Sequence, residues 1–183
     1  MPLGVHISKA PNREIKYLAI HFTAGSSSKA GSAKSVKHVF EQRKASADFC
    51  VDDRDMVQFN PDLHNYYCWA VGDGNGKYGV TNKNSISIEI CSSLKKGTSA
   101  AVPNHSGWYF TDAALENAVK LSKYLMKKYN IPIDRVIRHY DASRKSCPGL
   151  VGWNDGTLYK EDGSKTKEKN NSNEWIKFKK KLG

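Results

Sequence analysis

The sequence predicts an α/β domain, because segments typical of buried strands alternate along it with segments typical of amphipathic helices. Short runs of β-branched and aromatic residues, each bounded by turn residues, predict the strands. Apolar residues spaced three and four positions apart predict the helices. The chain has 183 residues, 39% of them hydrophobic, so one substantial core fits its length.

The first predicted strand covers residues 16–22, an apolar and aromatic run that ends before a Gly-Ser-rich turn. It places His21 at the carboxyl end of a strand, where sites in α/β sheets are commonly built. A helix is predicted from Ser32 to about Arg43, with apolar residues on one face and Ser32 able to cap it. Residues 1–14, before the first predicted strand, are polar and predict no regular element.

A β-hairpin is predicted next, with strands at 47–51 and 56–59 joined by a charged turn. Residues 60–83 have the composition of a loop, and long loops in compact domains tend to be functional or mobile. Residues 85–91 alternate small or polar residues with isoleucine, as in a strand with one face on the core. Glu89 belongs to the face opposite the isoleucines.

The clearest helix begins after Thr111, which can cap it, and ends at an Asn-Ile-Pro turn. An irregular connection at 92–110 precedes this helix, and a short strand at 135–138 follows it. Beyond Gly149 the chain is polar, with a last amphipathic helix predicted at 173–181. We therefore expect one domain over the whole chain: a core of about 16–150, and a polar extension at 151–183.

The charge of the chain indicates a polyanionic partner. The net charge is +11, which suits nucleic acid, an anionic membrane or an anionic cell wall. The basic residues are dispersed or terminal and are not interleaved with aromatic residues, which argues against nucleic-acid binding. No apolar run approaches the roughly 20 residues of a membrane span, and the N-terminus lacks the pattern of a signal peptide. Without a signal peptide, four irregularly spaced cysteines predict no disulfide framework.

The segment after the last predicted strand concentrates reactive groups: His139, Lys145 and Cys147 place an imidazole, an ammonium and a thiol within nine residues. With His21 they offer three metal ligands, and three protein ligands with one open position are typical of a catalytic zinc site. The alternative is that His21 packs at a strand end, His139 is exposed and Cys147 fills a turn. Asp141 could orient His139 or merely cap the segment.

Other candidates have equally ordinary alternatives. Glu89 stands alone in an otherwise apolar strand, which favours a position facing a cleft, but it could be an edge-strand or salt-bridged glutamate. Lys145 is of functional interest only if Cys147 binds a metal, since most lysines face solvent. Trp69 and Tyr67, in the long loop, could stack on sugar or peptide, or could cover the core. Four further histidines have no partner at a useful spacing and are expected at the surface: His6, His38, His64 and His105.

Three short motifs occur in order along the chain, at residues 20–25 (IHFTAG), 85–89 (SISIE) and 139–149 (HYDASRKSCPG). Together they resemble the type 2 N-acetylmuramoyl-L-alanine amidases, a family that includes phage endolysins, cell-wall recycling amidases and animal peptidoglycan recognition proteins. Each motif alone is weak, but the ordered trio is specific and spans roughly residues 16–150. The resemblance implies a mixed central β-sheet flanked by helices, with a zinc site in a groove at the strand ends.

The resemblance also implies roles for individual residues. His21, His139 and Cys147 match the three zinc ligands of the family, so one zinc ion per chain is expected. Lys145 matches a lysine that contacts the polarised carbonyl in catalytic members. Glu89 matches the glutamate that acts as base in the recycling-type enzymes.

One position departs from part of the family. Some phage members have a catalytic tyrosine where this chain has Ala47, followed by a histidine where it has Asp48. A tyrosine cannot act here, so Glu89 is the expected base. Asp48 is expected to contact the substrate or to support the ligands, and Trp69 and Tyr67 are the other expected substrate contacts.

The resemblance thus implies a hydrolase that cuts the amide bond between N-acetylmuramic acid and L-alanine in bacterial peptidoglycan, as a phage or prophage endolysin or an autolysin. Peptidoglycan is the expected partner, with no nucleic acid and no membrane span, and a monomer is expected. We expect synthesis in the cytoplasm and action on the cell wall after release by a holin-like or other non-signal route. The alternative is a non-catalytic peptidoglycan-binding module of the same fold, but such relatives typically lack the cysteine that is present here as Cys147.

Overall fold

A computed structural model describes residues 4–183 of the chain. Within that range, the strands are β1 (Ile7–Lys9), β2 (Tyr17–Phe22), β3 (Phe49–Val51), β4 (Met56–Gln58), β5 (Tyr66–Cys68), β6 (Ser85–Ile90), β7 (Ser93–Leu94), β8 (Trp108–Tyr109), β9 (Val136–Arg138), β10 (Thr157–Tyr159) and β11 (Lys165–Lys169). The α-helices are α1 (Ser32–Gln42), α2 (Asp112–Tyr129), α3 (His139–Ser143) and α4 (Asn173–Lys180). No helix in the described part of the chain has the length and apolar character needed to cross a membrane.

The central sheet has the strand order β4-β3-β6-β2-β9. β3, β6, β2 and β9 are parallel, and β4 pairs antiparallel with β3, so the sheet is mixed and the predicted fold class is confirmed. The register sets His21 of β2 beside Glu89 of β6, and Ile20 of β2 beside Arg138 of β9. Because the carboxyl ends of parallel strands meet at one edge of a sheet, this register brings His21, Glu89 and the start of α3 together.

Helices cover both faces of the sheet. On one face, the three isoleucines of β6 are fully buried in an apolar cluster that includes Ala118 and Leu125 of α2. On the other face, Phe40 of α1 packs edge-on against Phe59, with 5.6 Å between the ring centroids. The alternation of β6 therefore points its isoleucines to the α2 side and Glu89 to the opposite face, as predicted.

The bounds of α2 follow from its capping residues. The side chain of Thr111 accepts a hydrogen bond from the backbone N–H of Ala114, which satisfies one of the free donors of the first turn. Asn130 ends the helix in the left-handed conformation, which asparagine tolerates better than most residues. The helix predicted from the apolar period is confirmed.

Several segments predicted to be irregular contain structure. β1 pairs with β5, so both the N-terminal segment and the 60–83 loop contribute strands. β7 pairs with β8 within residues 92–110, and β10 pairs with β11 in the polar extension. The segment beginning at His139 starts with a short helix, α3, which was not among the predicted elements. These elements are two to five residues long, too short for periodicity to reveal them.

The polar extension packs onto the main core. Trp153, Trp175 and Phe178 are buried in the same apolar cluster as the sheet. Arg138 ties this region to the end of β9, because its Nη1 donates to the carbonyl of Trp153 at 3.0 Å and to Ser172 Oγ at 2.6 Å. The core thus extends past the boundary that the sequence suggested.

His105 is fully buried, so its expected surface position is wrong. Its Nδ1 accepts a hydrogen bond from the backbone N–H of Gly107 at 3.1 Å. Its ring lies 5.9 Å from that of Trp108, centroid to centroid. The aromatic residues that follow, Trp108 in the main apolar cluster and Phe110 packed against it, were the local signal for burial.

Candidate active site

The three side chains predicted as metal ligands meet at the carboxyl edge of the sheet. Ligand atoms of His21, His139 and Cys147 all lie within 4.8 Å of one another, and all three residues are buried. His21 Nδ1 is 3.7 Å from Cys147 Sγ. The two imidazole rings are 4.7 Å apart between centroids.

This donor set suits zinc. Zinc–nitrogen bonds of about 2.0 Å and zinc–sulfur bonds of about 2.3 Å in a tetrahedron imply an N···S separation of about 3.5 Å, close to the distance between His21 and Cys147. Burial, with the charges of His139 and Lys145, lowers the pKa of His21 well below its usual value, which keeps the imidazole neutral as metal ligation requires.

The backbone after α3 turns back to present Cys147. The N–H of Tyr140 donates to the carbonyl of Cys147 at 2.9 Å, and the N–H of Cys147 donates to the carbonyl of Lys145 at 2.7 Å. Gly149 follows at a point where a Cβ atom would lie 2.5 Å from the ring of Phe22, so a larger residue would push the segment off the sheet. Burial raises the pKa of the Cys147 thiol, and metal binding would therefore release its proton.

A residue that sequence reasoning missed contacts one of the ligands. Asp73 Oδ1 lies 2.7 Å from His139 Nε2, and Asp73 Oδ2 lies 4.0 Å from Lys145 Nζ. Asp73 sits on a 3₁₀ turn, Gly72–Gly74, within the long loop. Burial opposes its charge, but the hydrogen bond with His139 and the charge of Lys145 outweigh burial and hold the pKa of Asp73 below its usual value. The sequence signal was only an acid between two glycines.

Asp141 does not orient His139. Its carboxylate accepts hydrogen bonds from the backbone N–H of Arg138 at 2.9 Å and from the Arg138 guanidinium at 2.9 and 2.7 Å. Of the two roles that the sequence left open, Asp141 therefore has the capping one, at the start of α3.

Glu89 and Lys145 line the same cleft as the three ligands. Glu89 is partly buried, and its Oε2 atom has no hydrogen-bond partner among the described residues. Burial raises the pKa of Glu89 to about 8, against the opposing effect of the Lys145 charge. A carboxyl group with such a pKa can both accept and donate a proton near neutral pH, which is what a general base that later acts as an acid needs.

The cleft extends beyond these residues. Its volume is about 880 Å³, within the range of pockets that bind small molecules and peptides. Its lining also includes Val39 and Phe40 of α1 and residues 100–103. The structure places Trp69 in the lining, 39% exposed, with its Nε1 donating to Ser8 Oγ at 2.8 Å. A bulky aromatic surface is thus held at the cleft by a fixed hydrogen bond.

The structure does not bring Asp48 or Tyr67 into this cleft. Asp48 is 1% exposed, and its Oδ2 accepts hydrogen bonds from the backbone N–H and the hydroxyl of Ser87. Its Oδ1 accepts from Asn60 Nδ2 at 2.6 Å, so the carboxylate joins β6 to the hairpin and has no free oxygen to offer a substrate. Tyr67 lies on β5 and lines a separate, smaller depression. Both are left out of the substrate contacts that we propose below.

Replacing Glu89 by glutamine should change how stability depends on pH in the metal-free protein. The pKa of Glu89 is about 8 in the folded state, against about 4.3 for a solvated glutamate. Between these values the native state holds a proton that the unfolded state has released, so the free energy of unfolding falls as pH rises. The lowered pKa values of His21 and His139 have the opposite effect, but only below about pH 6.5.

The measurement is urea unfolding in the presence of a chelator at pH 6.5 and at pH 8. Wild type should lose stability between the two, and Glu89→Gln should lose less. Glu116→Gln, at an exposed position of α2, is the matched control and should follow wild type. An unchanged slope in the Glu89 variant would show that this carboxyl is already ionised when buried.

Comparison with known proteins places the chain in a family. The family model for N-acetylmuramoyl-L-alanine amidase matches residues 11–150. The amidase CwlA of Bacillus subtilis (strain 168) is 33% identical over 144 residues, covering 78% of this chain and 47% of that relative. The chain spans half or less of the length of the first curated relatives it matches.

Solved structures agree with the fold. The catalytic domain of XlyA aligns with a TM-score of 0.64 at 27% identity, covering 100% of this chain and 95% of that domain. A mutant endolysin from Bacillus subtilis aligns with a TM-score of 0.66 at 27% identity, with the same coverage of 100% and 95%. These matches confirm the resemblance drawn from the three motifs, and this chain belongs to the N-acetylmuramoyl-L-alanine amidase family.

Proposed function

We propose that this chain hydrolyses the amide bond between N-acetylmuramic acid and L-alanine in bacterial peptidoglycan, with one zinc ion held by His21, His139 and Cys147. The observation that carries the proposal is a buried His-His-Cys cluster in the same cleft as a glutamate with a raised pKa. Family membership supplies the bond to be cut. A bound zinc ion would polarise the scissile carbonyl and lower the pKa of a water molecule.

Glu89 acts as the general base in this proposal. It takes a proton from the attacking water as the water oxygen bonds to the carbonyl carbon. It then delivers that proton to the nitrogen of L-alanine as the carbon–nitrogen bond breaks. The partly buried position of Glu89, in the same cleft as the three proposed ligands, suits this shuttle. Such a group typically contributes about 10²- to 10⁴-fold to the rate.

Lys145 stabilises the negative charge that develops on the carbonyl oxygen. Its side chain lines the cleft and is 61% exposed, so it can swing toward a bound substrate. Donors that meet a developing oxyanion are typically worth about 3 to 4 kcal/mol each. Trp69, at the cleft, offers an aromatic face to a sugar or to the stem peptide.

The proposal extends to the partner and the domain. Peptidoglycan and its attached polymers are anionic, and a chain of net charge +11 is attracted to them at low ionic strength. We propose that residues 1–183 form one catalytic domain that acts as a monomer on the cell wall. The burial of Trp153 and Trp175 in the main core supports a single unit.

A non-catalytic binding module of the same fold is the competing reading. It would require the cleft but not a nucleophile, a base or an oxyanion contact. Here the cysteine ligand, Glu89 and Lys145 all line one cleft, which favours the enzyme.

Digestion of purified peptidoglycan tests the proposal. The protein should release new free N-termini of L-alanine without new reducing ends, because an amidase cuts the peptide from the sugar and leaves the glycan intact. New reducing ends would indicate a glycosidase. Binding to the wall material without either product would favour the binding module. A preparation treated with chelator and dialysed is the control, and zinc should restore its activity.

A further inference from the structure

We propose that Asp73 is a positioning residue that fixes the orientation of the His139 ring and thereby sets the zinc affinity of the site. The identity of the metal rests on the proposed function above. The contact between Asp73 and His139 does not depend on that identity, because it is a direct contact between two side chains, with Asp73 Oδ1 2.7 Å from His139 Nε2.

The chemistry of the two groups decides which ring nitrogen remains for a metal. An ionised carboxylate only accepts hydrogen bonds, so the Nε2 atom of His139 must carry the proton and donate it to Asp73. Nδ1 then carries the lone pair. A histidine ligand that donates its other ring N–H to a carboxylate is held in one orientation and is made more basic, and loss of such a partner typically costs about 10- to 100-fold in metal affinity.

The backbone around Asp73 is built for this contact. A Cβ atom at Gly74 would lie 2.2 Å from the carbonyl oxygen of Ala142, so only glycine lets the turn approach α3 this closely. α3 is the helix that begins with His139. The carboxylate and the ring are therefore brought together by direct packing of the turn on the helix.

A second contact anchors the far end of the same loop to α3. The guanidinium of Arg144, the residue that ends α3, lies 4.2 Å from the ring centroid of Tyr78. Such cation–π contacts are worth about 0.5 to 1 kcal/mol at exposed sites. Gly74 and Tyr78 both contact α3. These two contacts hold the glycine-rich part of the loop so that Asp73 lies beside His139.

Asp73 also lies near the proposed oxyanion contact. Its Oδ2 is 4.0 Å from Lys145 Nζ, too long for a hydrogen bond but close enough to attract the ammonium group. The attraction is weak because both side chains are partly exposed, 61% for Lys145 and 45% for Asp73. We therefore assign the main effect to His139.

The test is zinc affinity, measured by competition with a chromogenic chelator on the full chain. Asp73→Ala should weaken zinc binding about 10- to 100-fold and leave the melting temperature of the zinc-free protein close to wild type. Asp73→Asn keeps an acceptor oxygen at the same place and should recover part of the affinity. Excess zinc should restore hydrolysis by Asp73→Ala, because the reacting groups are untouched.

Asp141→Asn is the matched control, since Asp141 lies on the same short helix but pairs with Arg138. It should lower the melting temperature and leave zinc affinity unchanged. If Asp73→Ala binds zinc as tightly as wild type, or if both variants lose affinity only in proportion to their stability, the positioning role is wrong. If the wild-type protein binds no zinc, the proposed function fails first, so the two failures are distinguishable.

Discussion

Replacing Cys147 by serine should remove most of the zinc from the purified protein and abolish hydrolysis. A serine hydroxyl stays protonated and is a poor zinc ligand, so two histidines would remain where three ligands are needed. The loss of affinity should exceed the roughly 10- to 100-fold expected for an outer partner such as Asp73. Metal content of the purified variant and release of free L-alanine N-termini are the two measurements.

Cys68→Ser is the matched control for this change. Cys68 is also a free, buried thiol, but it lies on β5 and does not line the cleft. Cys68→Ser makes the same sulfur-to-oxygen change without removing a proposed ligand, so the zinc content of this variant should equal that of wild type. A Cys147→Ser protein that kept full metal content and activity would contradict the ligand assignment.

Replacing Glu89 by glutamine should lower the hydrolysis rate by about 10²- to 10⁴-fold and leave zinc content unchanged. Glutamine matches glutamate in shape but cannot take a proton from water, and Glu89 is not among the three clustered ligands. The rate at saturating peptidoglycan fragment and the metal content of the same sample together distinguish loss of the base from loss of zinc. Glu116→Gln should retain wild-type activity, and high activity in the Glu89 variant would place the base elsewhere.

The fold could be predicted where apolar periods are long. The two central strands and α2 were predictable because their burial follows directly from sequence spacing. The same holds for His21 and Glu89, whose position depends only on where a strand ends. The three-ligand cluster could be predicted only by combining the motifs at 20–25 and 139–149, because neither motif contains all three ligands.

Other parts of the site depend on tertiary structure that spacing cannot reveal. Asp73 reaches His139 across 66 residues, along a loop whose path depends on glycine contacts with α3. The sequence suggested that Asp48 could contact a substrate, but its carboxylate already accepts hydrogen bonds from Ser87 of β6 and from Asn60. Asp141 lies two residues after His139 but pairs with Arg138, a local partner three residues before it. For Asp73 and Asp48, partners distant in sequence decide the role.

The register between β2 and β6 fixes the spacing of His21 and Glu89 independently of the loops that line the cleft. His21 and Glu89 are neighbours across a parallel ladder, so the spacing between the proposed metal ligand and the proposed base is set by backbone hydrogen bonds, roughly 4.8 Å from strand to strand. The loops at 23–31 and 100–103 line the cleft but carry neither residue. Under the proposed function, substitutions in those loops would change the contacts with the stem peptide while the sheet keeps the proposed ligand and base in register, which makes the loops the place to test a change of specificity.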